Sequence, residues 1–180
     1  GIDDLRVFTA RSARVIPIYG SAATLATIRQ GFSYIFTDAP EPGFVPRLET
    51  LEAHDRFELF GRPVEAIPLE HGKFPCQGYR IGPLAYLTDC NGISEESRAK
   101  LHGLELLVLD GLRLKPHATH FNIAQAVAAA QQIGAKRTLL THLSHEIDHE
   151  RHNRELPPGI ELAYDGQRVR LPYADQRAPT

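Results

Sequence analysis

Apolar residues along the chain gather into short runs rich in leucine and β-branched residues, each closed by a glycine, an asparagine or a charged side chain. Val15 to Tyr19 is the first such run and predicts a buried strand ended at Gly20. Ser21 then caps a helix through about Gln30 that Gly31 stops. Thr37 to Pro46 holds three prolines and Gly43, and reads as a loop long enough to wall a ligand site. Val64 to Leu69 and Tyr79 to Thr88 predict strands, the second folded back at Gly82-Pro83 into a hairpin. Sharp loops follow at His71-Gly72 and at Asp89-Cys90-Asn91-Gly92.

The second half alternates more cleanly. Ser94 caps a helix to about His102, with Glu95 and Glu96 in its first turn where the helix dipole favours them. Leu104 to Leu109 is a continuous apolar strand ending in Asp110. Asn122 with Gln125 composes a capping box for an alanine-rich helix that Gly134 closes, and Arg137 to Thr141 is the strand after it. Strands alternating with helices at this spacing predict an α/β class, with one domain over residues 1–173 and a polar tail at 174–180. In such folds, sites gather in the loops at strand ends.

Composition narrows the function. The 180 residues are 42% hydrophobic and 23% charged with a formal net charge of -2, which argues against a disordered tail or a basic nucleic-acid module. No apolar run approaches the roughly 18 residues of a transmembrane helix, and the opening Gly1 to Arg6 lacks a signal-peptide pattern, so a soluble protein is expected. Two cysteines, Cys76 and Cys90, are too few for a disulfide framework and fit a reducing cytoplasm. The chain contains no methionine and starts at Gly1, which predicts a processed or partial polypeptide. Nine histidines are the remaining oddity.

Their placement supplies candidate chemistry. Four apolar runs end directly in a metal-competent side chain, at His71, Asp89, Asp110 and His142, and strand ends hold such groups rigidly. Any one of them taken alone reads as a polar residue where a strand meets water; four in one chain favour a site. His117 and His120 precede the capped helix at Asn122, where an imidazole can face an anionic ligand. His145-Glu146-Ile147-Asp148-His149 matches the H-E-x-x-H pattern of zinc peptidases, which needs both histidines one turn apart on a mostly buried helix. The segment is short and polar on every side, so a solvated histidine face at His149 and His152 is the competing reading.

Taken in order, Gly1-Ile2-Asp3-Asp4-Leu5-Arg6, Leu87-Thr88-Asp89, Leu109-Asp110-Gly111-Leu112-Arg113, Pro116-His117-Ala118-Thr119-His120-Phe121, Leu140-Thr141-His142-Leu143-Ser144-His145 and Leu156-Pro157-Pro158-Gly159 resemble the metallo-β-lactamase-fold hydrolases. Within them the chain looks most similar to the phosphoribosyl cyclic phosphate phosphodiesterases of the phosphonate pathway and their relatives. The resemblance implies an αββα sandwich, of which this chain would be the later two-thirds, because the family's His-x-His-x-Asp-His cluster lies directly before the Gly1–Arg6 segment in relatives. It implies that His71, Asp89 and His142 are metal ligands, with Asp89 bridging two divalent ions, zinc or manganese. It implies a non-ligand role for His120, donating to the phosphate or protonating the leaving alkoxide. It also implies a structural zinc at His145 together with an upstream cysteine-rich loop that Cys76 and Cys90 do not match. Asp3 and Arg6 are candidates to support the cluster's histidines, with a surface ion pair as the alternative. Asp110 and Arg113 pose the same question and are not taken as ligands.

The function expected is a metal-dependent phosphodiesterase acting on a small cyclic or nucleotide-like phosphodiester, in which the ion pair activates water and clamps the phosphoryl oxygens. The alternatives are a noncatalytic or differently reacting relative of the cofactor-biosynthesis type, an inactive fragment and, more remotely, a zinc peptidase. The expected partner is the small substrate, with neither a nucleic-acid polymer nor a membrane; relatives often pair as homodimers.

Overall fold

The computed structural model describes residues 1–10, 14–37 and 45–171. Most of the predicted loop from Thr37 to Pro46 and the whole predicted tail at 174–180 lie outside them. The chain divides into two compact units, residues 1–54 and 55–180.

In the first unit a 3-10 turn, Ile2–Leu5, leads into the short helix α1 (Arg6–Thr9). The predicted strand forms as β1 (Ile16–Gly20) and pairs in parallel with β2 (Leu48–Glu52). Helix α2 (Ala22–Gly31) lies in the connection and begins where the sequence places it, with the Ser21 hydroxyl accepting the Thr24 N–H at 3.2 Å. Strand β2 escapes a reading from hydropathy because Glu49 and Glu52 interrupt its apolar positions.

The second unit is built on a seven-stranded mixed sheet whose spatial order follows the chain. It comprises β3 (Arg56–Leu59), β4 (Arg62–His71), β5 (Phe74–Ile81), β6 (Leu84–Leu87), β7 (Leu106–Asp110), β8 (Arg137–Thr141) and β9 (Ile160–Leu162). From β3 to β6 the pairings are antiparallel, and from β6 to β9 they are parallel. The parallel steps need crossovers, and α3 (Glu95–Ala99), α4 (Ile123–Ile133) and α5 (His149–Glu155) supply them. Strand β5 begins five residues before the expected Tyr79, because Gly72, at φ +62°, lets the chain reverse in a tight turn directly after His71. Helix α3 is shorter than the predicted span to His102.

One face of this sheet carries the core. Ile67, Leu87, Leu107, Leu109, Leu140 and Leu162 are all fully or almost fully buried, and α4 presents Ile123, Ala126, Ala130 and Ile133 at helical spacing. Asn122 and Gln125 form the capping box expected of them, and Gly134 closes the helix in the left-handed region. Among the described residues no helix is long and apolar enough to cross a membrane.

Strand direction fixes where chemistry can gather. The antiparallel steps on either side of β5 leave β4 and β6 pointing the same way, and β7 and β8 run parallel to β6. The C-terminal ends of β4, β6, β7 and β8 therefore open on one edge of the sheet, and the residues there are His71, Asp89, Asp110 and His142.

The tightness of this sheet is testable at Gly78, opposite Ile67 in the β4–β5 pair. A Cβ there would collide with the Leu87 side chain and come within 2.9 Å of the Tyr86 carbonyl oxygen. Gly78→Ala is expected to lower unfolding stability by about 1–3 kcal/mol in urea titration. An unchanged midpoint would show that β5 and β6 have room to separate.

Candidate metal centre

Each member of the cluster is held by a short, defined piece of backbone. His71 is the last residue of β4, opposite Phe74. Asp89 and His142 each follow the apolar end of a strand and adopt positive φ, 57° and 62°. Non-glycine residues rarely occupy that region and stay there only where the surroundings over-determine it, commonly at functional sites. His120 comes from the loop between β7 and α4, whose Phe121 N–H donates to the Cys90 carbonyl at 2.8 Å.

These side chains meet. The His142 Nε2 and Asp89 Oδ1 are 3.7 Å apart. The His120 ring centroid lies 4.7 Å from that of His71, edge-on, and 4.8 Å from that of His142, stacked. Asp89, His120 and His142 can each offer one ligand atom, with all three atoms within 4.8 Å of one another. The sequence-predicted ligands thus share one edge with His120, and His120 stands inside the ligand-distance group rather than beside it. His71 joins through its ring contact with His120.

Asp110 organises the imidazoles. It is fully buried at the end of β7, and its Oδ2 accepts the Cys90 backbone N–H at 2.9 Å and faces His120 Nδ1 at 2.7 Å. An ionised carboxylate accepts only, so Nδ1 carries the proton and donates, leaving Nε2 as the nitrogen that can meet a ligand or substrate. His117 packs against the same ring with centroids 5.0 Å apart, and its Nδ1 accepts the Thr119 N–H at 3.3 Å. Desolvation, reinforced by the neighbouring Arg113 cation, pushes the His117 imidazole below its ordinary pKa. Arg113 itself braces the loop by donating to the Lys115 and Pro116 carbonyls at 3.2 and 2.7 Å.

The residues fit a divalent cation. Nitrogen and carboxylate donors converge, and His71 Nδ1 is buried without a hydrogen-bond partner among the described residues, a costly state that an ion or its bound water relieves. Asp110 Oδ1 is in the same condition.

The Asp3 carboxylate accepts the Tyr34 hydroxyl at 2.6 and 2.8 Å within the first unit, which raises the Tyr34 pKa, and Arg6 opens α1. His145 is exposed in the turn before α5, whose N-cap is Asp148. Because the helix starts only at His149, the H-E-x-x-H residues never lie one turn apart on a helix, and the peptidase arrangement is not formed. The solvated face expected at His149 and His152 is also corrected. His149 Nε2 donates to the Leu162 carbonyl at 3.2 Å, and His152 is buried with Nδ1 donating to the Asp148 carbonyl at 2.8 Å, because α5 packs on β9. Sequence reasoning marks Asp89-Cys90-Asn91-Gly92 only as a sharp loop and misses the role of Asn91, whose amide bridges two of the site's loops through backbone partners.

Residues 1–143 match the family model described as a β-lactamase superfamily domain. A diphosphatase of the PhnP family superposes with a TM-score of 0.84 at 36% identity, covering 96% of this chain and 66% of that one. The metallo-β-lactamase-fold protein YhfI of Bacillus subtilis gives 0.70 at 18% identity, over 90% and 68%, and shares the fold. An octanoyltransferase of Porphyromonas gingivalis is 37% identical over 170 residues, 92% of this chain and 34% of its own length. The chain thus spans about a third of that curated relative and about two-thirds of the diphosphatase.

The positive φ at His142 gives a stability test separate from chemistry. His142→Gly is expected to be about 1 kcal/mol more stable than His142→Ala in chemical denaturation, because alanine keeps the left-handed strain that glycine removes. Equal stabilities would mean that the backbone at 142 relaxes freely once the ring is gone.

Proposed function

Since the chain belongs to the metallo-β-lactamase superfamily, we propose that it contributes the later ligands and the proton donor of a metal-dependent phosphoesterase acting on a small phosphodiester or diphosphate. The observation that carries this reading is the convergence of His71, Asp89, His120 and His142 around a His120 ring tied to buried Asp110. The 36% identical relative is a diphosphatase, and cleaving a diphosphate or a phosphodiester makes the same demand on a site: charge gathers on phosphoryl oxygens and the leaving oxygen needs a proton.

In this reading His71, Asp89 and His142 would hold the divalent metal. That metal would supply Lewis-acid charge at the phosphoryl oxygens and lower the pKa of its bound water toward neutrality. The chain's own residues do the rest. Asp110 keeps Nδ1 of His120 protonated and the ring oriented, so that Nε2 faces the substrate. A proton carried on Nε2 can pass to the leaving oxygen while Nδ1 stays hydrogen-bonded to Asp110. His117 and the loop braced by Arg113 close the other side of the ring and limit its rotation. Acyl transfer, the activity in the octanoyltransferase's name, finds no support among this site's thiols. Burial raises the pKa of both Cys76 and Cys90, away from the thiolate such chemistry uses.

The test uses the full-length protein loaded with zinc or manganese. His120→Ala is expected to retain its metal while kcat on an alkyl phosphodiester falls by roughly 10² to 10⁴. The loss is expected to shrink on a nitrophenyl ester, whose phenolate leaves without a proton. Metal loss in His120→Ala would make His120 a ligand, and equal losses on both esters would make it a phosphate-binding group; either overturns the proton-donor role. A metal-loaded parent enzyme that hydrolyses neither a phosphodiester nor a diphosphate would overturn the proposed function itself.

A further inference from the structure

We infer that Asn91 is a positioning residue, whose side-chain amide fixes the spacing between the turn that follows His71 and the loop that carries His120. The inference rests on the metal-centre reading above, and its test includes a zinc-release readout that does not depend on turnover. Asn91 Oδ1 accepts the Gly72 backbone N–H at 2.9 Å, and Asn91 Nδ2 donates to the Ala118 carbonyl at 2.9 Å. Both ends of the amide are therefore committed, and the two backbone groups they hold lie on segments 46 residues apart in sequence (118 − 72). The Asn91 backbone is itself anchored, with its N–H donating to the Glu70 carbonyl at 2.8 Å, while Gly92 accepts the Glu70 N–H at 3.0 Å. Asn91 is thus fixed beside His71 at one end and reaches toward the His117–His120 segment at the other.

The seam it closes is narrow. Gly72 has φ +62°, and a Cβ on it would come within 2.7 Å of Thr119 Cγ2 and 3.4 Å of the Ala118 carbonyl oxygen. Thr119 is the residue between Ala118, which Asn91 holds, and His120. Small changes at this seam must therefore move His120 against His71, whose rings are 4.7 Å apart. Aspartate at position 91 is not equivalent to asparagine. Its second oxygen would face the Ala118 oxygen with no proton between them, so the Gly72 bond survives and the other becomes repulsive.

The experiment compares the full-length zinc-loaded protein with Asn91→Ala and, as a second probe of the same seam, Gly72→Ala. Zinc transfer to a chromophoric chelator is followed in each, alongside circular dichroism, and kcat and KM are measured on a phosphodiester at saturating zinc. Asn91→Ala is expected to lose zinc about tenfold faster, and its kcat to fall about tenfold or more with KM within about twofold, while the far-ultraviolet spectrum stays that of the parent. Gly72→Ala should change both readouts in the same direction. Where Asn91→Ala fails to fold, Gly72→Ala carries the comparison alone. Zinc release and kcat within twofold of the parent in the folded variants would overturn the inference, as would a rise in KM at unchanged kcat, which would make Asn91 a substrate-binding group. A parent protein that holds zinc but hydrolyses no phosphodiester would count against the proposed function, and the zinc-release comparison would still decide the role of Asn91.

Discussion

The Asp110 carboxylate has no access to solvent, and the rest of the centre depends on how it is satisfied. Burying an ionised carboxylate costs several kcal/mol unless strong hydrogen bonds replace water. Here they come from the Cys90 amide and the His120 imidazole, both to Oδ2, while Oδ1 has no partner among the described residues. The first bond ties the end of β7 to the loop after β6, and the second ties it to the loop before α4. Removing either would leave a buried charge underpaired, so the two loops are held for energetic reasons that do not involve a substrate. The same bonds set the tautomer and direction of His120, which lets a scaffold requirement double as a chemical one.

Around that anchor the fold places side chains by strand direction. Because β5 reverses the chain on both sides and β6 to β8 run parallel, four strand ends open on one edge without any long excursion. The cost appears as backbone strain at Asp89 and His142, which both sit in the left-handed region. With the backbone there, the ligand atoms of Asp89 and His142 lie within 4.8 Å of that of His120. A chain optimised for stability alone would put glycine at both positions.

Much of this was legible in the sequence, and the limits have physical causes. Strands with continuous apolar runs, β1, β4, β7 and β8, and the doubly capped α4 stood out because local propensity and burial agree there. Strands β2, β3 and β9 did not, since glutamate and arginine alternate through them or their runs are too short to register. His71, Asp89, Asp110 and His142 are legible as chemistry at run ends and His120 as an imidazole before a capped helix, whereas the contact between Asp110 and His120 is not, because sequence shows a strand's end but not which buried group it will meet. Asn91 was hidden for a related reason: its partners are backbone groups, which carry no residue signature. The histidines of α5 misled in the opposite sense, since a polar segment was read as solvated although His152 turns inward against β9.

The proposed function requires divalent cations among the strand ends while Asp110 holds His120 by its Nδ1. X-ray data collected at the zinc absorption edge on the full-length, zinc-loaded protein measure it directly. Anomalous peaks are expected against Asp89 and His142, with His120 still hydrogen-bonded to Asp110. Peaks confined to His145 and the exposed histidines, or a His120 ring turned away from Asp110, would contradict it.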